Sequence, residues 1–205
     1  MQKEENRFPD WHALYKEQNV ETMPWYHPQL DSDLEKALDK RKINKGRFLD
    51  LGTGPATQAL ELAKRGFSVT GSDLSQSAID RAKTLSKEID FVQDDILNTK
   101  IRGNFDYIFD RGCFHVFDPS LRNTYVKKIA SLIKPKGLLF LKCFSKEEEG
   151  DWGPYRLSKE EIENSFHCHF TLEEIYQTAF QSTLDHNPKA LFCVLKQKGS
   201  LQKPF

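Results

Sequence analysis

The stretch RFLDLGTGPATQALELAKRG, residues 47 to 66, changes its apolar period midway, and that change constrains the fold more than any other feature of the chain. Phe48, Leu49 and Leu51 read as a short buried strand, whereas Ala59, Leu60 and Ala63 recur at helical spacing until Gly66 closes the element. Between them LGTGP has to turn. Gly52 and Gly54 permit positive φ and close approach to the backbone, and Pro55 suits the first helical position, where its missing N–H would be unpaired anyway. A helix N-terminus aimed at a ligand follows.

The turn is not a full dinucleotide fingerprint G-x-G-x-x-G, because Thr57 stands at the third glycine position. The order of acids around it narrows the reading. Asp50 precedes the glycines, and a second strand, FSVTGSD, ends in Asp73, about 20 positions past the loop, where a carboxylate can accept hydrogen bonds from ribose hydroxyls. Ser75 then caps a helix with Ala78, Ile79, Ala82 and Leu85 on one face. A third strand, FVQDDIL, ends in Asp94 and Asp95. A carboxylate there either receives the exocyclic amine of adenine or belongs to an ordinary solvated turn.

NFDYIFDRGCFHVFDP supplies a fourth strand through Phe105, Tyr107, Ile108 and Phe109, which delivers Asp110 and Arg111 into a loop holding Cys113, Phe114 and His115. Asp118-Pro119 reads as cap and first residue of a helix bearing Tyr125, Val126, Ile129, Leu132 and Ile133. In open α/β sheets ligands sit beyond the carboxyl ends of the strands where strand order reverses, so Asp110 to His115 should face the crevice of the glycine turn.

Lys134-Pro135-Lys136-Gly137 turns into a fifth strand, LLFLKCFS, followed by the polar loop KEEEGDWGPYR and a helix opened by the capping box Ser158 and Glu161. FTLEEIYQTAF and ALFCVLKQK close the chain as paired strands around Asp185 to Pro188. The expected fold is α/β, a doubly wound, mostly parallel seven-stranded sheet with an antiparallel C-terminal hairpin strand. One domain accounts for all 205 residues, with a helical N-terminal cap over 1–45 and a core over 46–198. The cap holds a helix with Trp11, Leu14 and Tyr15 and another from about Asp31 to Lys40. Between them MPWYHP forms a fixed loop, either a hydrophobic cover for a sheet edge or a roof of Trp25 and Tyr26 over a ligand.

Thirty basic and thirty acidic side chains cancel, so no overall field draws nucleic acid or an anionic membrane. The longest apolar run, GLLFLKCF, is far shorter than the roughly 20 residues of a membrane-spanning helix. The start MQKEENR does not read as a signal sequence, and a soluble cytoplasmic protein is expected, with nothing demanding more than a monomer. Cys113, Cys143, Cys168 and Cys193 are scattered as reduced thiols would be. His167 and His169 could place two imidazoles on one strand face, but no second ligand pair stands at zinc spacing, so no metal is expected.

LDLGTGPA, then Asp73, QDD, FDYIFDRG, a helix, KPKG and GLLFLK together resemble the class I S-adenosylmethionine-dependent methyltransferases over roughly residues 43 to 197. PW in the N-terminal segment, DRGCFH and GPYRLS further resemble small methyltransferases of the thiopurine and thiol S-methyltransferase group. Ala56 takes the place of the usual third small residue, and Pro135-Lys136-Gly137 replaces Pro-Gly-Gly. The resemblance implies a Rossmann-like fold with S-adenosylmethionine as cofactor. It implies that Asp50, Gly52 and Gly54 cradle the methionine part, Asp73 with Leu74 the ribose, and Asp95 with Ile96 the adenine. Asp110 would stand at the rim beside the methyl group and Trp25 would cover the cofactor.

The expected function is methyl transfer to a small-molecule acceptor, a thiol or other soft nucleophile, by in-line displacement, in which the protein chiefly positions the reactants. A hydroxyl or amine acceptor would need a base, and His115, with Asp110 beside it, is the candidate; its alternative role is to order the loop. Arg111 clamps either Asp110 or an acidic substrate. Phe114, Trp152, Tyr155 and Arg156 complete the acceptor-side candidates, as an aromatic wall with an anion anchor or as loop packing. A nicotinamide oxidoreductase, a cofactor-binding sensor and an enzyme acting on a macromolecule are the competing functions.

Overall fold

Two aspartates start the N-terminal cap of the computed structural model, which describes residues 7–151 and 153–199. Asp10 Oδ1 accepts from the N–H groups of His12 and Ala13 at 2.9 and 3.1 Å to open α1 (Trp11–Glu17), and Asp31 Oδ1 accepts from Asp33 at 3.0 Å to open α2 (Ser32–Lys40). Strand and helix then alternate through β1 (Arg47–Leu51), α3 (Thr57–Lys64), β2 (Ser68–Asp73), α4 (Gln76–Leu85), β3 (Asp90–Gln93), β4 (Phe105–Arg111), α5 (Pro119–Leu132) and β5 (Ile133–Phe144). After α6 (Lys159–Phe166), β6 (Phe170–Ala179) and β7 (Lys189–Gln197) close the chain.

The seven strands form one sheet in the order β3-β2-β1-β4-β5-β7-β6, with β1 to β5 mutually parallel and β7 antiparallel to both neighbours. The order reverses between β1 and β4, which puts the switch point at the carboxyl ends of those two strands. Alternation along the strands divides the core. Leu49, Ile108, Leu139 and Leu141 face α5 and α6 through Tyr125, Ile129, Ile162 and Phe166, while Phe48, Phe109, Phe140 and Phe192 face α2, α3 and α4 through Leu38, Ala59, Leu62 and Ile79. Each buried Leu, Ile or Phe among them contributes about 1.5–3 kcal/mol relative to exposure.

The sheet, the capping box at Ser158 and the Asp118-Pro119 helix start agree with the sequence reading. Five local details differ. Pro55 is not the first helical residue: Ala56 N donates to Thr53 O at 2.8 Å, Ala56 is left-handed at φ 63°, and α3 starts only at Thr57. Asp110 and Arg111 are the last residues of β4 rather than loop residues, and β3 stops at Gln93 ahead of both acids. The KPKG segment is drawn into the start of β5, where Ile133 pairs with Phe105 and the register then shifts around a left-handed Lys136. His167 ends α6 instead of standing in a strand, its Nδ1 2.8 Å from Asn164 O. No helix among the described residues is long and apolar enough to cross a membrane.

Candidate active site

The glycine turn is held by the acids on either side of it. Asp50 Oδ2 accepts from Thr53 Oγ1 at 2.6 Å, Thr53 N donates to Ser72 O at 2.8 Å, and Gly54 N donates to Asp73 Oδ2 at 2.9 Å. Gly52 and Gly54 are left-handed at φ 68° and 47°. A Cβ on Gly54 would also strike the Tyr15 hydroxyl, so α1 lies directly over the turn. Burial pushes the Asp50 carboxyl up to about 6, and it also raises Asp73, against which the backbone N–H groups of Ser75 and Gly54 work. Asp73 uses one oxygen for Gly54 and the other for Ser75 N at 2.8 Å, and the Leu74 backbone is a third donor, which leaves about one of the carboxylate's four lone-pair sites open.

At the next strand end the two acids part. Asp95 serves as a cap: Oδ1 accepts from Leu97 N at 3.0 Å and Oδ2 from Asn98 Nδ2 at 2.7 Å. Asp94 Oδ1 accepts from Lys100 N at 2.8 Å, but its buried Oδ2 has no hydrogen-bond partner among the described residues, and neither does Ser72 Oγ on β2. Unpaired buried polar atoms are uncommon and mark a place for a ligand or water. Ser72 escaped the sequence reading, although it precedes Asp73 at the same strand end.

The loop after β4 turns around Asp110 rather than presenting it. Asp110 accepts from Gly112, Cys113 and Phe114 N–H groups at 3.0, 2.6 and 2.9 Å and from the Tyr125 hydroxyl, with no exposed surface. Four bonds occupy both oxygens, and desolvation raises the carboxyl to about 6. The expected rim or catalytic position of Asp110 is therefore corrected: it shapes the loop from behind. Phe114, expected on the acceptor side, lies in the core with its ring 5.0 Å from those of Tyr125 and Phe166.

His115 is also turned inward. Its Nδ1 accepts from Phe144 N at 2.9 Å, its Nε2 faces Gly112, and a hydrogen bond with that residue's backbone is the one contact favouring a proton. Burial wins and lowers its pKa to about 3. A base for an acceptor needs a free nitrogen and a pKa near the working pH, and the ring offers neither. Arg111 does not clamp Asp110. Its Nε donates to Asp31 Oδ2 at 2.9 Å, and its two terminal nitrogens donate to the carbonyls of Trp25 and Gln181 at 3.0 and 2.8 Å.

These residues surround one cavity of about 340 Å³ along the carboxyl ends of β3, β2, β1, β4 and β5. Asp94, Asp95, Ile96, Ser72, Asp73 and Leu74 line it at the β3 side, Gly52 and Gly112 at the switch point. Beyond Cys113 and His115 the wall becomes apolar, with Val116, Phe117, Phe144, Phe180, Leu184 and Pro188. Above, Trp25 Nε1 donates to the Tyr15 hydroxyl at 2.9 Å and its ring meets Trp11 edge-on at 5.8 Å. Arg7 joins this roof to the loop after β5 through the carbonyls of Gly153 and Asp151 at 2.7 and 3.1 Å.

Of the acceptor-side candidates in that loop, Tyr155 is held outside the cavity by the Arg7 guanidinium 4.4 Å over its ring and by donation to Asp118 Oδ2 at 3.3 Å. Arg156 donates to the carbonyls of Glu148 and Glu149 at 3.0 and 2.8 Å. Gly153 and Pro154 reach the cavity instead, and Trp152 lies outside the described residues. Among the described residues no group of three or more His, Cys, Asp or Glu is arranged to hold a metal ion.

A family model described as thiopurine S-methyltransferase matches residues 7–201. The chain is 27% identical over 146 residues to probable thiol methyltransferase 2 of Arabidopsis thaliana, covering 68% of this chain and 65%, just under two thirds, of that protein. It is 30% identical over 168 residues to 2-heptyl-1-hydroxyquinolin-4(1H)-one methyltransferase of Mycobacteroides abscessus, covering 78% of this chain and 73% of that protein. A solved structure reported for the conversion of a disulfide bond into a thioacetal group during echinomycin biosynthesis has the same fold, with a TM-score of 0.79, 22% identity and 93% of each chain covered.

Proposed function

The chain belongs to the thiopurine S-methyltransferase family, and from that premise we propose that, as a single cytoplasmic domain, it transfers a methyl group from S-adenosylmethionine to a small, largely apolar acceptor bearing a thiol or another soft nucleophile. The observation that carries this reading is the polarity gradient of the cavity. Unpaired oxygens of Asp94 and Ser72 and the carboxylate of Asp73 stand at the β3 side, and an aromatic wall without a free charge stands beyond β4.

The polar side fits a nucleoside. Asp73 would accept from ribose hydroxyls, and Asp94 Oδ2, the carboxylate oxygen with no partner among the described residues, would accept from the amine of the base in preference to Asp95, each of whose oxygens already accepts a bond, with Ile96 and Leu74 as apolar neighbours. Gly52, left-handed and without a Cβ, lets the methionine portion lie against the backbone. When bound, S-adenosylmethionine supplies a methyl group on an already activated sulfonium, so the protein's contribution is orientation and exclusion of water.

The acceptor side supports a soft nucleophile. His115 is neutral with Nδ1 engaged, Arg111 is paired with Asp31, and burial pushes the Cys113 thiol well above its ordinary range. No described residue there is free to take a proton from an alcohol or phenol. An acceptor that ionises in water before binding, as a thiol does far more readily than an alcohol, suits such a wall. Displacement would be direct, the acceptor's electron pair forming the new bond to carbon as the carbon–sulfonium bond breaks with its pair left on sulfur, and the residues of this wall would serve to aim the acceptor and exclude water.

A screen with labelled S-adenosylmethionine over aromatic and alkyl thiols, phenols, amines and alcohols tests this. Turnover concentrated on apolar thiols is the expected result. Turnover of alcohols at comparable rates would overturn the soft-nucleophile reading, and binding of S-adenosylhomocysteine with no turnover across the panel would make the chain a binding module instead.

A further inference from the structure

Four ionisable side chains meet beneath the roof of the cavity. Lys142 Nζ lies 3.1 and 2.9 Å from the two oxygens of Asp31 and 2.7 Å from Asp33 Oδ2, while Arg111 Nε holds Asp31 Oδ2 at 2.9 Å. Asp31 and Lys142 have no exposed surface, and the side chains of Asp33 and Arg111 are 4% and 7% exposed. Thr178 Oγ1 and the Tyr176 hydroxyl donate to Asp33 at 2.7 and 3.4 Å, and the Phe180 ring lies 5.2 and 5.5 Å from the two cations. Two negative and two positive charges thus balance out of water.

Ions buried this way gain little over apolar side chains of the same size, but leaving one without its counter-charge is severe. What the network supplies is geometry. It joins the start of α2 to β4, β5 and β6, and from Arg111 it continues through the Trp25 carbonyl to the Trp25 indole and the Tyr15 hydroxyl above Gly54. None of the methyl-transfer chemistry described above uses Lys142.

We infer that Lys142 is a positioning residue: by balancing Asp31 and Asp33 it sets Arg111, and through Arg111 it fixes the Trp25 roof over the cavity. The full chain and its K142M, D33N and K142M/D33N variants decide this by hydrogen–deuterium exchange over residues 23–31 and by calorimetric titration with S-adenosylhomocysteine. Only the titration rests on the proposed methyl donor.

K142M leaves two carboxylates against one guanidinium, so residues 23–31 should exchange faster and S-adenosylhomocysteine should bind about tenfold more weakly, a size typical of networks acting on a neighbouring site. Adding D33N restores one acid to one base and keeps an oxygen for Thr178, so the double variant should regain protection and affinity. Native exchange in K142M, or a double variant no better than K142M, would overturn the inference. If K142M does not fold, a double variant that folds with native protection supports it and one that also fails refutes it. Should the unmodified chain not bind S-adenosylhomocysteine, the cofactor assignment falls while the exchange measurement still judges Lys142.

Discussion

The ring nitrogen Nδ1 of His115 accepts the Phe144 backbone N–H at 2.9 Å, and this bond fastens the loop after β4 to the end of β5. It replaces a strand pairing that the last residue of β5 has lost on that side, and it needs a neutral imidazole, because a protonated ring has no lone pair to offer.

Acid should therefore unlatch the loop. The His115 pKa is lowered to about 3, so the neutral ring contributes stability that is fully present above its unfolded value near 6.5 and is lost as pH falls toward 3, at most on the order of 5 kcal/mol. Asp50 and Asp110, raised to about 6, act in the opposite sense, contributing below pH about 4 and losing that contribution as pH rises through 6. His115→Asn keeps an acceptor without a titrating group, so the difference in urea stability between the two proteins isolates the histidine. That difference should shift against the unmodified protein between pH 6.5 and 4; a constant difference would show that His115 is not held neutral.

Asp73 is expected to be the strongest single determinant of cofactor binding. Its carboxylate both anchors the Gly54 N–H at 2.9 Å and lines the cavity, so Asp73→Ala removes a ligand contact and loosens the turn together. Losing charge-assisted hydrogen bonds worth about 1.5–3 kcal/mol each should weaken S-adenosylhomocysteine at least about tenfold. Calorimetry reads this directly, and an unchanged dissociation constant would remove Asp73 from the ribose role.

The adjacent acids should separate cleanly by effect. Asp94→Asn keeps an oxygen for Lys100 N but puts a donor where the unpaired Oδ2 stood, so S-adenosylhomocysteine should bind more weakly by about 1.5–3 kcal/mol. Asp95→Ala removes a cap and should cost about 1 kcal/mol of stability with affinity little changed. The reverse pattern in paired titration and unfolding measurements would return the base-recognition role to Asp95.

The sequence made the doubly wound sheet with its antiparallel end, the helix caps and the crevice legible because each rests on local signals: a period change, an Asp or Ser before a helix, an acid at a strand end. The aim of individual side chains at the site was not local. Asp110 is oriented by Tyr125 and by three N–H groups of its own loop, His115 by Phe144, and Arg111 by Asp31, 80 positions away. The motif DRGCFH therefore located the loop but not which of its side chains face the ligand. Lys142 carried a readable signal, a lysine in the run GLLFLKCF, since a strand covered on both faces cannot hold an ammonium without a buried acid. Its partners, more than a hundred positions earlier, had no pattern to announce them.

The contact between Tyr15 and Gly54 makes the glycine turn and the N-terminal cap one mechanical unit, and this can be measured by coupling. Gly54→Ala places a Cβ at φ 47°, which costs roughly 1–2 kcal/mol for the left-handed backbone alone, and it also drives that carbon into the Tyr15 hydroxyl. Tyr15→Phe removes the hydroxyl and leaves Trp25 Nε1 without its acceptor, a loss of about 1 kcal/mol. Because the second change relieves the collision made by the first, the double variant should be less destabilised in urea than the sum of the single variants, by about 0.5–3 kcal/mol of interaction energy. Strict additivity would mean that α1 does not rest on the turn, and the cap would then have to reach the cavity through Trp25 and Arg111 alone.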